Sequence, residues 1–191
     1  MNTFEISLRT EVGGISLETP VIVASGVWPM DPALWPQGSL DGVGAICSKG
    51  LTLDPRDGNR GCRIVETYSG VLNSIGLQNP GVGHFVAEEL PVLKEAGRPI
   101  IVNIAFETLA DLEKALEVLN RSASKISALE LNVSCPNVSK GGMTWGIDPD
   151  SLKSAVTTAR SSWDGALWVK LSPQVPSVAE FAWLSQECGA D

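Results

Sequence analysis

Residues 99–134 read PIIVNIAFETLADLEKALEVLNRSASKISALELNVS. Two apolar runs, Pro99 to Ala105 and Ala128 to Ser134, flank a segment in which Leu109, Leu112, Leu116 and Leu119 recur at spacings of three and four. The runs are short and apolar through most of their length, as strands buried on both faces of a parallel sheet are. The segment between them has the period of a helix with one buried face. Thr108, with Asp111 three residues on, makes a capping box that starts this helix. Strand, helix and strand in that order form the unit of a parallel α/β sheet.

The same unit repeats outward from this stretch. Pro20 to Ser25, Ala45 to Lys49 and Leu167 to Leu171 read as further strands, which makes five. Asp148-Pro149 opens a helix through Ala159, with aspartate at the cap and proline in the first turn, and Ser177 to Cys188 reads as the last helix, stopped by Gly189. At the start, Ile6 to Leu8 and Ile15 to Leu17 flank Gly13-Gly14 and are expected to form a hairpin that plugs one end of a barrel. No repeat, low-complexity tract or Pro/Ser-rich linker divides the chain, so residues 1–191 are expected to be one domain. One region, Leu51 to Gly81, has no helical period and is dense in Gly, Asn, Pro and Arg. With a β-like stretch at Arg63 to Tyr68, it reads as an ordered active-site loop.

Composition narrows the function classes. A 191-residue chain with 43% hydrophobic and 19% charged residues has a globular composition and enough length for a sizeable core. No apolar run approaches the roughly 18 residues of a membrane span, and the N-terminus has neither a basic-then-apolar leader nor an Arg-rich one. A cytoplasmic location is expected. The net charge of -8 and the lack of a Lys/Arg cluster argue against nucleic-acid and membrane-surface partners. Cys47, Cys62, Cys135 and Cys188 have no paired spacing and His84 is the single histidine, so no zinc or iron–sulfur site is expected. Cys47 and Cys188 read as small buried hydrophobes.

Ligands in a parallel βα barrel sit at the carboxyl ends of the strands, and here every strand ends in polar residues. These are Ala24-Ser25-Gly26, Ser48-Lys49-Gly50, Asn103, Asn132-Val133-Ser134-Cys135 and Lys170 with Ser172. A polar side chain inside an apolar strand costs on the order of 1–3 kcal/mol unless it finds a partner. Backbone groups or a lysine–carboxylate pair with Glu130 could satisfy any one of them. Lys49, Asn103, Asn132 and Lys170 together point to a shared polar ligand. Amides that donate and accept in one plane, with lysines near electron-rich atoms, suit a planar heterocycle such as a flavin. Gly26 and Gly50 would let backbone come close to it. Cys135 precedes a proline in a loop that also holds Gly141 and Gly142; a thiol with an ordinary pKa of about 8.5 can act there as a base, more so beside lysines.

These residues resemble the dihydroorotate dehydrogenases, in particular the soluble class 1 enzymes, over essentially the whole chain. The likeness is carried by Ala24-Ser25-Gly26, by Ser48 to Asn59, by Asn73-Ser74-Ile75-Gly76-Leu77-Gln78-Asn79-Pro80-Gly81, by Asn103-Ile104-Ala105, by Glu130 to Asn137 and by Val169 to Pro173. The resemblance implies an α/β fold of the (β/α)₈ TIM-barrel type, here about its first five βα units with an N-terminal hairpin. It implies FMN bound by Ala24, Ser25, Gly26, Lys49, Gly50, Asn103, Asn132 and Lys170. The pyrimidine would be held by Lys49, Asn73, Ser74, Ile75, Gly76, Leu77 and Asn132, and Cys135 would be the base in oxidation of (S)-dihydroorotate to orotate, a step of pyrimidine (UMP) biosynthesis. Cysteine in place of serine looks like class 1. Lys140 to Gly146 looks like the 1B form, whose separate subunit carries FAD and a 2Fe-2S cluster and passes electrons to NAD; a homodimer is also implied.

Similar enzymes run to roughly 300 residues, within the size range of the barrel. By that likeness a sixth strand would begin where Gly189-Ala190-Asp191 stands, and the loops that hold the FMN phosphate would follow the seventh and eighth strands. The chain alone is therefore expected neither to turn over dihydroorotate nor to retain stoichiometric FMN. Three other readings compete: a flavin barrel like that of dihydropyrimidine dehydrogenases, a lyase or aldolase using Lys170 or Lys49 as a Schiff-base amine, and an inactive flavin-barrel fragment.

Overall fold

The protein is described by a computed structural model covering residues 7–35, 38, 40–134 and 145–191. Strands β1 (Thr10–Val12) and β2 (Ile15–Leu17) pair antiparallel across Gly13 and Gly14, whose φ angles of +51° and +74° suit a two-residue turn of the primed type. Of the expected first strand, Ile6 to Leu8, Ile6 lies outside the described residues, and the strand observed is Thr10–Val12. A two-residue turn pairs the residues that flank it, here Val12 with Ile15, so the strand must start beside the glycines, and Leu8 is exposed.

The main sheet holds five parallel strands: β3 (Ile22–Val23), β4 (Ala45–Cys47), β7 (Ile100–Ile104), β8 (Ala128–Asn132) and β9 (Ala166–Lys170). Their spatial order, β3-β4-β7-β8-β9, is their order along the chain. Strands added one after another in this way make a singly wound sheet, the topology of a (β/α) barrel, in contrast to the reversed order of a doubly wound sheet. Each of the five lies inside an expected strand or within a residue of it.

Between β4 and β7 lies a ribbon of β5 (Ile64–Thr67) and β6 (Gly70–Asn73), then helix α1 (Gly81–His84), a π-helical turn over Phe85–Glu89 and helix α2 (Leu90–Glu95). Pro91 accounts for the wide turn, because its ring lacks an N–H and crowds the carbonyl four residues earlier. The Leu90 N–H bonds instead to Phe85 O, five residues back. Helices α3 (Leu109–Asn120), α4 (Pro149–Ser162) and α5 (Val178–Glu187) start at the caps Thr108, Asp148 and Ser177, and Thr108 with Asp111 forms the expected box. Among the described residues no helix is long and apolar enough to cross a membrane.

The alternating sides of the strands go to two different surroundings. Ile46, Ile100, Val102, Ile104, Leu129, Leu131 and Leu167 meet the helices, packing with Phe85, Leu93, Leu112, Leu116, Leu119, Leu152 and Val156 in the larger core. Each such side chain stabilises by roughly 1.5–3 kcal/mol relative to exposure. On the other side, Ala45, Cys47, Ile101 and Ala128 form a smaller core with Leu17, against which Ile15, Ile22, Ala166 and Trp168 pack. Among the described residues no helical side chain belongs to this second cluster. The hairpin covers it, filling the amino-terminal end of the sheet's inner face as expected of a plug. A Cβ at Gly13 would come within 2.4 Å of Trp168 Nε1, so the hairpin turn rests directly on β9.

Candidate active site

The inner face changes character along the strands. Its amino-terminal layer, Ala45 and Cys47 with Ile101, Ala128 and Ala166, is apolar apart from the thiol. Further along the same face stand Asn103 on β7, Glu130 and Asn132 on β8, and Trp168 and Lys170 on β9. Register aligns Asn103 with Glu130 and Asn132 with Lys170, so these groups sit side by side across three strands. The sequence dictates this: a period of two places Ile101 and Asn103, or Ala128, Glu130 and Asn132, on one side while their neighbours face the helices.

Glu130 is the centre of the group. Its Oε1 accepts a hydrogen bond from Asn103 Nδ2 at 2.5 Å and from the Cys47 thiol at 3.5 Å, and Lys170 Nζ lies 4.0 Å away. Asn103 Oδ1 accepts from Asn132 Nδ2 at 3.4 Å, and Asn132 Oδ1 accepts from the Ser134 N–H at 3.3 Å and hydroxyl at 3.0 Å. Asn103 is fully buried. Burial, followed by the Glu130 charge and hydrogen bond, pushes the Cys47 thiol far above its ordinary pKa, with Lys170 opposing weakly. Cys47 is thus a neutral donor and no nucleophile. It was expected to be a small buried hydrophobe; it is buried, but it also serves the polar cluster. Cys188 is half-buried and packs against the larger core.

Lys49 and Gly50 bring the first two strand ends to this group. A Cβ on Gly26 would lie 3.2 Å from Lys49 Nζ. One on Gly50 would lie 2.8 Å from Asn103 Oδ1, 3.1 Å from Leu77 Cδ1 and 3.8 Å from Ser25 Oγ. The glycines therefore make room for the lysine and the amide of the site itself, a tighter requirement than the close backbone approach expected of them. Ala24 contributes its carbonyl, which accepts from the Val27 N–H at 3.2 Å and turns the chain after β3.

The 51–81 segment is ordered by Asn79, a residue of the Asn73–Gly81 motif for which the sequence alone implies no role. Its Oδ1 accepts from the Thr52 and Gly81 N–H groups at 3.1 and 2.9 Å, and its Nδ2 donates to Leu77 O at 2.8 Å. Leu77, at φ +55°, is the one non-glycine residue with positive φ among those described. Such a backbone costs on the order of 1–3 kcal/mol and is typical of functional sites. It places the Leu77 side chain beside the Gly50 position. Ser74 and Ile75 are tied to Asn59, which donates through Nδ2 to Ser74 Oγ at 2.8 Å and through its N–H to Ile75 O at 3.0 Å. Asn59 also occupies the space a Cβ at Gly76 would need. Asn73 ends β6 on the exposed ribbon, paired with Ile64, so of the five loop residues among the seven expected pyrimidine contacts Leu77 is the one seen against the strand-end group.

Cys135 and the glycines at 141 and 142 lie outside the described residues; the structure gives the approach to them as far as Ser134. Among the described residues no group of three or more His, Cys, Asp or Glu could hold a metal ion. The cradle fits a flat, multiply hydrogen-bonding ring. It offers amides on neighbouring strands, two lysines, and glycines where a side chain would displace Asn103 or Lys49.

A family profile described as dihydroorotate dehydrogenase matches residues 7–191. The dihydroorotate dehydrogenase B (NAD(+)) catalytic subunit of Geotalea uraniireducens is 42% identical over 184 residues, covering 96% of this chain and 60% of that protein. The proteins of the same name from Thermoanaerobacter pseudethanolicus and Porphyromonas gingivalis are 39% and 41% identical over 186 and 187 residues, each covered to 61%. The chain thus spans about 60% of the length of these relatives. The crystal structure of DHODH from Eimeria tenella in complex with ferulenol superposes with a TM-score of 0.70 at 22% identity, over 99% of this chain and 60% of that one.

Proposed function

The chain belongs to the dihydroorotate dehydrogenase family, and on that premise we propose that it builds the flavin-ring and pyrimidine site of an enzyme that oxidises (S)-dihydroorotate to orotate in pyrimidine biosynthesis. The observation that carries this reading is the side-by-side placement of Asn103, Asn132 and Lys170 around Glu130 at the carboxyl ends of the strands, with Ser25 and Gly50 beside Asn103. When bound, FMN supplies the acceptor for the hydride that leaves C6 of the substrate. The chain's own residues do the rest. Ser25, Lys49, Gly50, Asn103, Asn132 and Lys170 hold the ring, and Ala24 and Gly26 shape the turn against which Lys49 lies. Lys49, Asn132 and Asn73 to Leu77 orient the pyrimidine, and the Cys135 thiolate takes the C5 proton.

Loss of one proton and one hydride balances the oxidation. Lysines near the ring favour the electron-rich state that follows. The relatives' printed name, an NAD(+)-linked catalytic subunit, supports an NAD-linked assembly with a further subunit, to which we assign electron transfer through FAD and a 2Fe-2S cluster. A homodimer of the catalytic chain and a cytoplasmic setting complete the proposal.

The test is titration of the chain with FMN and with riboflavin, followed by quenching of flavin fluorescence, because titration registers weak binding that desalting removes. Saturation at one flavin per chain is expected. In a version extended to the full length of the relatives, anaerobic mixing with dihydroorotate should bleach the bound flavin, and Cys135→Ser should bind flavin equally but bleach at least about tenfold more slowly at neutral pH. Absence of quenching at millimolar flavin would refute the ring site. An unchanged bleaching rate would remove Cys135 from the chemistry.

A further inference from the structure

We propose that Glu130 is the positioning residue of the site: one carboxylate oxygen sets which way the amides of Asn103 and Asn132 present their donors and acceptors, and anchors the ammonium of Lys170. The inference deepens the flavin-site reading and rests on it for the identity of the ring.

The argument begins with the symmetry of an asparagine amide, whose donor and acceptor ends exchange by a half-turn about its last bond. A carboxylate can only accept. Glu130 Oε1, 2.5 Å from Asn103 Nδ2, therefore selects the amino end of that amide and turns Oδ1 the other way. Asn103 Oδ1 can in turn only accept, and it meets Asn132 Nδ2 at 3.4 Å. Asn132 Oδ1 is then left to accept from the Ser134 N–H and hydroxyl. The donors all run in one sense, from Ser134 through Asn132 and Asn103 to Glu130; the donor-only Ser134 N–H favours that sense at one end at 3.3 Å, and the acceptor-only carboxylate imposes it at the other through the much shorter bond of 2.5 Å.

Two further contacts make Glu130 suited to that place. Its side chain is only 23% exposed and stands above the dry layer of Ile101, Ala128 and Ala166, so water offers little competition for its lone pairs. Cys47, whose thiol stays protonated, donates to the same Oε1 from below and holds the carboxylate against rotation. Lys170, 4.0 Å off and more exposed, is drawn toward the same oxygen from the next strand. A ring bound over this face would meet amides of defined polarity on two strands and an ammonium of defined position on a third, all referred to one atom. A role confined to folding would not require that Asn132, which has no bond to Glu130, respond to it.

The experiment compares the wild-type chain with Glu130→Gln, whose amide can offer Asn103 either end and so loses the selection. The first readout is the side-chain amide NMR signals of Asn103 and Asn132 in the unliganded chain. Both pairs should shift in Glu130→Gln, Asn132 through Asn103. The second is titration with riboflavin, which carries the ring without the phosphate. Its dissociation constant should rise at least about tenfold, in line with the cost of misplacing groups in a rigid site, while the melting temperature stays close to wild type. Unmoved Asn132 signals, or unchanged riboflavin affinity in a chain whose wild type binds it, would overturn the proposal and leave the flavin reading standing. Coupled shifts in a chain whose wild type binds no riboflavin would support the positioning role and refute the flavin reading. Should Glu130→Gln fail to fold, Glu130→Asp, which withdraws the oxygens by one methylene, is put to the same two measurements with the same expectations.

Discussion

Replacing Gly50 with alanine should leave the fold nearly as stable as before while weakening ring binding. The new methyl would sit 2.8 Å from Asn103 Oδ1 and 3.1 Å from Leu77 Cδ1, where ordinary contact begins at 3.4 Å. The amide oxygen must therefore retreat by about 0.6 Å, since the backbone on either side is pinned in β4 and by the pairing of Leu51 with Ile104. Asn103 is held by Glu130 at 2.5 Å, so the bond that gives is the longer one from Asn132, already 3.4 Å. Its loss costs about 1 kcal/mol. Gly50 does not have a left-handed φ, so alanine restricts the unfolded chain and returns roughly 0.4–1 kcal/mol. The two nearly cancel, and the melting temperature should move by no more than about 2–4 °C. Riboflavin affinity should nevertheless fall at least about tenfold, because the two amides no longer hold each other in place. Thermal denaturation and riboflavin titration on the same preparation check both halves. A fall of more than about 10 °C would show that Gly50 is a packing residue of the fold. Unaltered affinity would show that the amide pair does not act on the ring.

Gly44→Ala should behave in the opposite way, since its methyl would fall 2.0 Å from the backbone oxygen of Thr19, which cannot swing aside; a loss of about 3 kcal/mol is expected in urea denaturation. Thr108→Ala should cost about 1 kcal/mol in the same assay by opening the capping box of α3. Asp148 caps α4, and the Ser151 hydroxyl and then the Ser151 N–H hold its carboxyl below the usual range. That contribution is present above the ordinary aspartate pKa and lost as pH falls through the lowered one, so Asp148→Ala should melt earlier than wild type at neutral pH and converge with it in acid. Burial raises the Glu89 carboxyl, with His84 opposing. Its folded form holds the proton more tightly than the unfolded one, so Glu89→Gln should raise the melting temperature slightly at neutral pH and flatten the gain that wild type shows on acidification.

The sheet was legible because β4 and β7 are buried on both faces and the other parallel strands are at least partly covered, so each reads as a largely apolar run, and α3 was legible because Thr108 and Asp111 mark its start. The elements between β4 and β7 were not. Ile64, Val65, Val71 and Leu72 are all exposed, so nothing imposes a burial period on the β5–β6 ribbon, and its second strand gives no signal. Pro91 breaks the helical period of residues 81–95 through the π turn it imposes. The N-terminal hairpin was found but misplaced, because the glycine pair shows where a turn is, while the pairing of Val12 with Ile15 is set by the turn's length. In the site, Asn103, Asn132 and Lys170 stood out as polar residues in apolar strands. Glu130 stands in the same run and was read only as a possible partner for a lysine. Its other partners, Asn103 and Cys47, lie on different strands, and no local pattern announces a contact made through sheet register.

Glu130 also makes the two site lysines chemically different. Among the described residues the ion pairs include Lys170, which shares the Glu130 oxygen, and do not include Lys49. Lys49 lies against Gly26. A lysine that keeps a carboxylate neighbour presents a partly balanced charge whose position is fixed by the partner, whereas a lysine without one presents its full charge to whatever occupies the site. For a ring that becomes more electron-rich during the reaction, these suit different tasks. On the proposed reading Lys170 is a placed hydrogen-bond donor whose electrostatic effect Glu130 tempers, and Lys49, proposed to meet both ring and pyrimidine, is the stronger source of positive potential. Neutralising Lys49 should therefore weaken binding of an anionic pyrimidine such as orotate more than neutralising Lys170 does. Orotate titrations of Lys49→Met and Lys170→Met in the presence of saturating flavin measure that difference directly, and a larger loss in Lys170→Met would mean that the Glu130 pair does not temper its charge.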